Sequence, residues 1–218
     1  MFNYCPPCEL PELQSETIND KRYYTTPSGE KYPSITTVLS SLSRDSIAAW
    51  RKKVGEEEAN RISRTASNRG TKIHSIAEAY LNNEPHYMRD VMPNHKETFL
   101  TIRPLLDKID NIWYQECALY SDTLKVAGRV DCIGEYDGVL SVIDFKTSSR
   151  VKKKEDITSY FLQTTFYALA LEEMIGNPVN QIVIIMSVDD HSPLVFIEQT
   201  ENYINELVKV VRQYGDLK

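Results

Sequence analysis

Apolar positions along the chain follow two rhythms, and the change falls near residue 114. Before it the spacing is helical. Ile73, Ile76, Ala77, Tyr80 and Leu81 form one stripe, and Phe99, Ile102, Leu105, Leu106, Ile109 and Trp113 form another. They predict a long helix over Glu56–Leu81, broken near Ser67–Gly70, and a second from an Asn94 cap to Trp113. Shorter helices are expected from Pro33-Ser34 through Ser43 and, behind an Asp45 cap, over Ser46–Val54. Ahead of them, Tyr/Thr-rich arms at Arg22–Thr26 and Glu30–Tyr32 flank Pro27-Ser28-Gly29 and predict a hairpin.

After residue 114 the pattern becomes strand-like. Strands are expected over Glu116–Tyr120, Leu124–Tyr136 and Val139–Thr147, the last two joined by a tight Asp137-Gly138 turn. A helix over Ser159–Ile175 ends at Gly176-Asn177-Pro178. The continuous apolar run Gln181–Val188 suits a buried central strand. A strand at Leu194–Glu198 and a helix over Glu201–Tyr214 close the chain. This order predicts one α/β domain with a mixed central sheet flanked by helices and a helical N-terminal portion. The expected divisions are an acidic, poorly ordered tail over 1–20, then a single domain over 21–218. Within it, 21–113 forms the hairpin and helical part and 114–218 the α/β core.

Composition narrows the classes. Of 218 residues, 41% are hydrophobic and 26% charged, which excludes a wholly disordered or collagen-like chain. No run approaches the ~18 apolar residues of a membrane helix. The first twenty residues carry Glu9, Glu12, Glu16 and Asp20 with no Lys or Arg, unlike a signal or transit peptide. A cytoplasmic protein with no membrane partner is therefore expected (in the host cytoplasm if a phage encodes it). Cys5 and Cys8 form a CxxC, but a metal site there would need the distant Cys117 and Cys132 to converge; plain reduced thiols are the simpler expectation.

The densest chemistry lies in Gly128-Arg-Val-Asp131 and Val142-Ile-Asp144-Phe-Lys146-Thr. Strand alternation puts Asp144 and Lys146 on one face. A tight turn at Asp137-Gly138 sets Asp131 and Asp144 opposite one another. Two facing carboxylates need cationic charge nearby. Lys146 supplies one; Mg²⁺ or Mn²⁺, with the Phe145 carbonyl as a further ligand, could supply the rest and activate a water. A cross-strand ion network without catalysis is the alternative. His74 sits at the edge of its apolar stripe, where an imidazole could reach a metal, and Gly70 lies within the stripe, where a missing side chain allows close packing. Gln163 and Tyr167 share a helix face that can overlook the site and bind phosphate or stack on a base. Otherwise that helix reads as an amphipathic core helix.

Gly70-x3-His74, Asp131, Asp144-x-Lys146 and Gln163-x3-Tyr167, in this order, resemble the PD-(D/E)XK nuclease superfamily, in its RecB-like branch. Gly128-Arg-Val-Asp131-Cys132 and Val142-Ile-Asp-Phe-Lys-Thr147-Ser148 are similar to the mitochondrial genome maintenance exonuclease family and its bacteriophage relatives. The resemblance runs from about Tyr32 to Tyr167. It implies a restriction-endonuclease-like fold and metal-dependent hydrolysis of DNA, chiefly at single-stranded ends, in replication, repair or recombination. It implies that Asp131, Asp144 and His74 hold the metal, that Lys146 orients the nucleophile, and that Gln163 and Tyr167 support the site and contact DNA. Glu116 matches a family glutamate that is either a metal ligand or structural. Some relatives carry an iron–sulfur cluster on C-terminal cysteines; no cysteine follows Cys132, so none is expected.

The net charge of −6 argues against nucleic acid only as an average. Residues 44–74, which include Arg69 and Lys72, hold eight cations against four acids. Residues 146–154 hold Lys146, Arg150, Lys152, Lys153 and Lys154 with no acid. Both segments flank proposed site residues. With Thr147 and Ser148 they are expected to track a phosphate backbone, although solvated charged faces would look the same. Tyr23, Tyr24, Tyr32 and Trp50 are candidate stacking residues. The expectation is a monomeric Mg²⁺- or Mn²⁺-dependent deoxyribonuclease acting on single-stranded ends. The alternatives are a structure-specific endonuclease of the same fold, or a DNA-binding partner with a vestigial site.

Overall fold

A computed structural model describes residues 1–216, so the domain limit expected at 218 lies outside the described residues. The chain begins with a three-stranded antiparallel sheet: β1 (Gln14–Ile18), β2 (Lys21–Thr25) and β3 (Lys31–Pro33). The β2–β3 hairpin is the one expected. Its third strand lies inside the segment expected to be a loose tail: Ser15 pairs with Tyr24 and Thr17 with Arg22. Further upstream, the Cys5 N–H donates to the Ile112 carbonyl at 2.8 Å.

Four helices follow. In α1 (Ile35–Ser40), the Ser34 hydroxyl caps the Thr37 N–H. α2 (Arg44–Val54) begins one residue before Asp45, which therefore sits in the first turn rather than at the cap. α3 (Glu56–Leu81) is unbroken through Gly70. α4 (Pro93–Leu106) starts with proline at its first position and ends well short of Trp113. Ile109 and Trp113, expected on its stripe, instead open the strand β4 (Ile109–Ser121). Residues four apart share a face in a strand as they do in a helix, so the Ile109/Trp113 spacing could not separate the two there.

The main sheet runs in the order β4–β5–β6–β7–β8, with β5 at Val126–Tyr136, β6 at Val139–Ser148, β7 at Gln181–Val188 and β8 at Leu194–Gln199. Only β6 and β7 pair in parallel, so the sheet is mixed. Asp137 and Gly138 both have positive φ, 49° and 80°, as a tight β5–β6 hairpin requires. α5 (Thr158–Ile175) and α6 (Ile204–Asp216) cover one face with α1; α3 and α4 cover the other. β7 is buried on both sides, Ile182, Ile184 and Met186 toward α5 and Val183 and Ile185 toward α3 and α4.

α5 is not the amphipathic helix expected. It is buried from Phe161 through Ala168, polar residues included. Tyr24 and Tyr32 are core as well, packed with Leu13, Ala118 and Ala127. Among the described residues, no helix is long and apolar enough to cross a membrane.

Candidate active site

The β5–β6 ladder runs from Tyr136↔Val139 to Cys132↔Ile143, which leaves Asp131 and Asp144 side by side just past its last pair. Asp131 is held by its neighbours. Its Oδ2 accepts the Phe145 N–H at 2.8 Å, and His74 Nδ1, projecting from α3, lies 3.5 Å from the same oxygen. Burial would raise the Asp131 pKa, but His74, Lys146 and the Phe145 N–H outweigh it and hold the carboxyl below its ordinary range. The His74 imidazole is held above its usual range, because Asp131 outweighs burial. Its ring meets Phe145 edge-on at 6.2 Å.

Asp144 is fully buried and differently served. Neither of its oxygens accepts a hydrogen bond, although Oδ2 is in ion-pair contact with Lys146 Nζ. Burial, with help from Asp131, pushes its carboxyl up to about 6 despite that lysine. Lys146 keeps its proton: burial opposes the charge, but Asp144 and Asp131 together raise its pKa. Its ammonium also lies 5.1 Å from the centre of the Tyr160 ring.

Glu116 completes the open side. One ligand atom from each of His74, Glu116 and Asp131 lies within 4.8 Å of the others. The sheet register explains this, since Gln115↔Cys132 and Cys117↔Val130 set Glu116 across from Asp131. Glu116 has φ +48°, a left-handed conformation uncommon for this residue type. Arg129 Nη1 donates to its carbonyl at 2.7 Å. Burial, then repulsion from Asp131 and Glu78, pushes the Glu116 carboxyl up to about 7. A cleft of about 440 Å³ opens over these groups, with Arg22, Arg129 and Glu78 also on its lining.

Sequence reasoning passed over Arg22, Arg129 and Glu78. Signals existed for two of them: Arg129 lies inside the Gly128–Asp131 motif, and Glu78 is one helical turn from His74. Gly70 differs from expectation. A Cβ at Gly70 would meet only the Thr147 hydroxyl, at 3.9 Å, so no close packing requires glycine there. A Cβ at Gly128 would come within 2.9 Å of Tyr167 Cε1 and 3.0 Å of Ile35.

Several expected DNA contacts lie elsewhere or are already engaged. Tyr167 is buried, and Gln163 Nε2 donates to its hydroxyl at 3.1 Å, so the phenol is enclosed rather than free at the surface. Arg69 is ion-paired with Asp189, and Lys154 with Glu198 at 2.5 Å. Ser148 is buried and donates to the Arg150 carbonyl at 2.7 Å. Thr147 and Lys152 are half-buried; Lys72, Arg150 and Lys153 are exposed. All four cysteines are free thiols, Cys5 and Cys8 at the surface.

A sequence profile of the PD-(D/E)XK nuclease superfamily matches residues 87–215, more than half of the chain. The chain belongs to that superfamily. The match covers β4 to α6 and so includes Glu116, Asp131, Asp144 and Lys146, but not His74. Two relatives are proteins named mitochondrial genome maintenance exonuclease 1. The Homo sapiens protein is 25% identical over 148 residues, 62% of this chain and 40% of its own length. The Mus musculus protein is 25% identical over 128 residues, 55% of this chain and 38% of its own length. The chain thus spans about two fifths of the curated relatives it matches. A solved structure from Eubacterium rectale overlays 68% of this chain and 64% of its own at a TM-score of 0.49 and 16% identity, too loose a likeness to bear on the fold or the site.

PD-(D/E)XK nucleases generally use divalent metal ions, and the residues here fit one. The donor set is an imidazole and carboxylates, groups that hold divalent cations. The buried Asp144 oxygens without hydrogen bonds, and the raised Glu116 and Asp144 carboxyls, mark a site short of positive charge.

Proposed function

We propose that this nuclease is a divalent-metal-dependent deoxyribonuclease that degrades DNA from single-stranded ends. The observation that carries the reading is the junction of two unlike parts: the His74–Glu116–Asp131 group beneath an open cleft, and the buried Asp144 beside it, paired with the partly exposed Lys146. His74, Glu116 and Asp131 would hold the metal on the cleft side, with Asp144 and the Phe145 carbonyl behind. Bound there, a divalent ion supplies a Lewis acid for the phosphoryl oxygens and an acidified water.

The chain's own groups do the rest. Lys146, kept cationic, offers N–H donors to a phosphoryl oxygen or the attacking water, and its partly dry setting strengthens that interaction. The Phe145 N–H and His74 hold Asp131 anionic and oriented. Gln163 and Tyr167 act as positioning residues beneath the strands. Arg150, Lys152 and Lys153, which form no ion pair among the described residues, are available to a phosphate backbone at the rim. The relatives are named for exonuclease activity and genome maintenance, which supports an end-dependent role in replication, repair or recombination.

The test is digestion of end-labelled linear single strands, duplex and closed circular single strands with Mg²⁺, Mn²⁺ or EDTA. Expected are metal-dependent loss of the linear single strand, an intact circle, and no turnover in EDTA. Cleavage of the circle would make the protein an endonuclease. Undiminished cleavage in EDTA, or full activity of Lys146→Met, would overturn the assignment.

A further inference from the structure

The cleft over His74, Glu116 and Asp131 has an acidic floor, and Glu78 adds a further carboxylate to its lining. A strand of phosphodiesters entering it meets repulsion that one bound cation offsets only at one point. The basic residues nearest in sequence do not all remain free to help, since Arg69 is committed to Asp189 and Lys154 to Glu198. Two arginines absent from both basic runs line the cleft instead. Arg22 comes from β2 of the small sheet and Arg129 from β5 of the large one, and both are exposed.

Each is anchored through groups that leave guanidinium donors unused. The Arg22 backbone is tied on both sides: its N–H donates to Thr37 Oγ1 at 3.2 Å and its carbonyl accepts the Ser34 N–H at 2.8 Å. Its guanidinium has no ion-pair or hydrogen-bond partner among the described residues. Arg129 spends one N–H on the Glu116 carbonyl, and a guanidinium carries five. Planar forked donors suit phosphate oxygens.

We infer that Arg22 and Arg129 form a two-point clamp on the phosphodiester backbone of the substrate strand, next to the bond that is cut. The clamp runs the strand across the junction of the small and large sheets. This inference rests on the nuclease reading above.

The experiment compares wild type with Arg22→Gln, Arg129→Gln, their double variant, and Lys152→Gln/Lys153→Gln. Binding of a fluorescent thymidine homopolymer is measured by anisotropy in Ca²⁺ over a range of NaCl, and kcat and KM are measured in Mg²⁺. Thermal unfolding checks each variant; both arginines are exposed, so the fold should hold. For each arginine removed, the slope of log affinity against log salt should fall by about 0.7, the value for one single-strand phosphate contact. KM should rise severalfold while kcat changes little, and Arg129→Lys should recover part of the loss. An unchanged salt slope in the double variant, with wild type binding and cutting normally, overturns the clamp alone. A fall in kcat with KM unchanged in Arg129→Gln overturns it too, leaving Arg129 as a positioning residue for Glu116. Wild type that neither binds nor cuts the strand overturns the nuclease reading itself.

Discussion

Asp131 and Asp144 stand on neighbouring strands just beyond the same ladder, yet their surroundings make them different chemical objects. Asp131 is 8% exposed, accepts a backbone N–H and lies against an imidazole held above its usual pKa. It is a fixed anion at the floor of a cleft. Asp144 is 0% exposed, accepts no hydrogen bond and has one ammonium for company. Its proton affinity is raised rather than lowered. Hydrogen-bond donors make a buried carboxylate a dependable anion, whereas burial with a single counter-charge leaves it poised. The open half can therefore exchange ions and substrate with solvent. The other half pairs a fully buried carboxyl with a partly exposed lysine that stays charged within reach of them.

The largest expected effect tests whether both halves are needed. Asp131→Asn and Lys146→Met should each reduce DNA hydrolysis by about 10³-fold or more, read with a labelled single strand. Their stabilities should then part company. Lys146→Met leaves Asp144 buried without its counter-charge and should cost about 3 kcal/mol in urea unfolding, most of it recovered in Asp144→Asn/Lys146→Met. Equal stability of the single and double variants would show that Asp144 and Lys146 are not coupled. Next in size, Glu116→Gln should weaken divalent-ion binding roughly 10- to 100-fold by calorimetry with little effect on folding. Unchanged metal affinity would remove Glu116 from the open half.

A smaller effect concerns the floor beneath both halves. Gly128→Ala should cost about 1–3 kcal/mol, because its Cβ would press on the buried Tyr167 ring. Gly70→Ala, with its Cβ 3.9 Å from the nearest group, should be neutral or stabilising by up to about 1 kcal/mol in a helix. Thermal unfolding of the two variants checks the contrast.

A further effect is a pH dependence in metal-free protein. The Asp144 carboxyl rises from 3.8 to about 6 on folding, so between those values the native state holds a proton that the unfolded chain has released. Its contribution to stability therefore falls as pH rises through that window. Asp131, with a lowered pKa, has the opposite sign: its contribution is lost as pH falls. Denaturant midpoints of wild type and Asp144→Asn, measured across that window in EDTA, should converge at its acid end and separate at its upper end. Parallel profiles would rule out a raised Asp144.

Local pattern carried much of this molecule. The run Gln181–Val188 is a strand of those same limits, and the Asp137-Gly138 turn adopts the two positive φ angles its sequence implies. Because a two-residue hairpin sets the register of its arms, it also brings Asp131 beside Asp144, with Lys146 on the same face. These features depend on a few neighbouring residues, so a single chain segment determines them. The choice of partner for each charge was not legible in the same way. Arg69 and Lys154 look like free cations in sequence, but Asp189 and Glu198 claim them from distant elements. Tyr167 looks like a ligand-facing phenol until the burial of α5 encloses it. Glu116 joins His74 and Asp131, and Arg22 and Arg129 line one cleft, only because two sheets and α3 close around it. Strand register and turn geometry are short-range properties that the sequence determines by itself. Burial and charge pairing are decided by which surfaces meet, and that was settled by the tertiary structure.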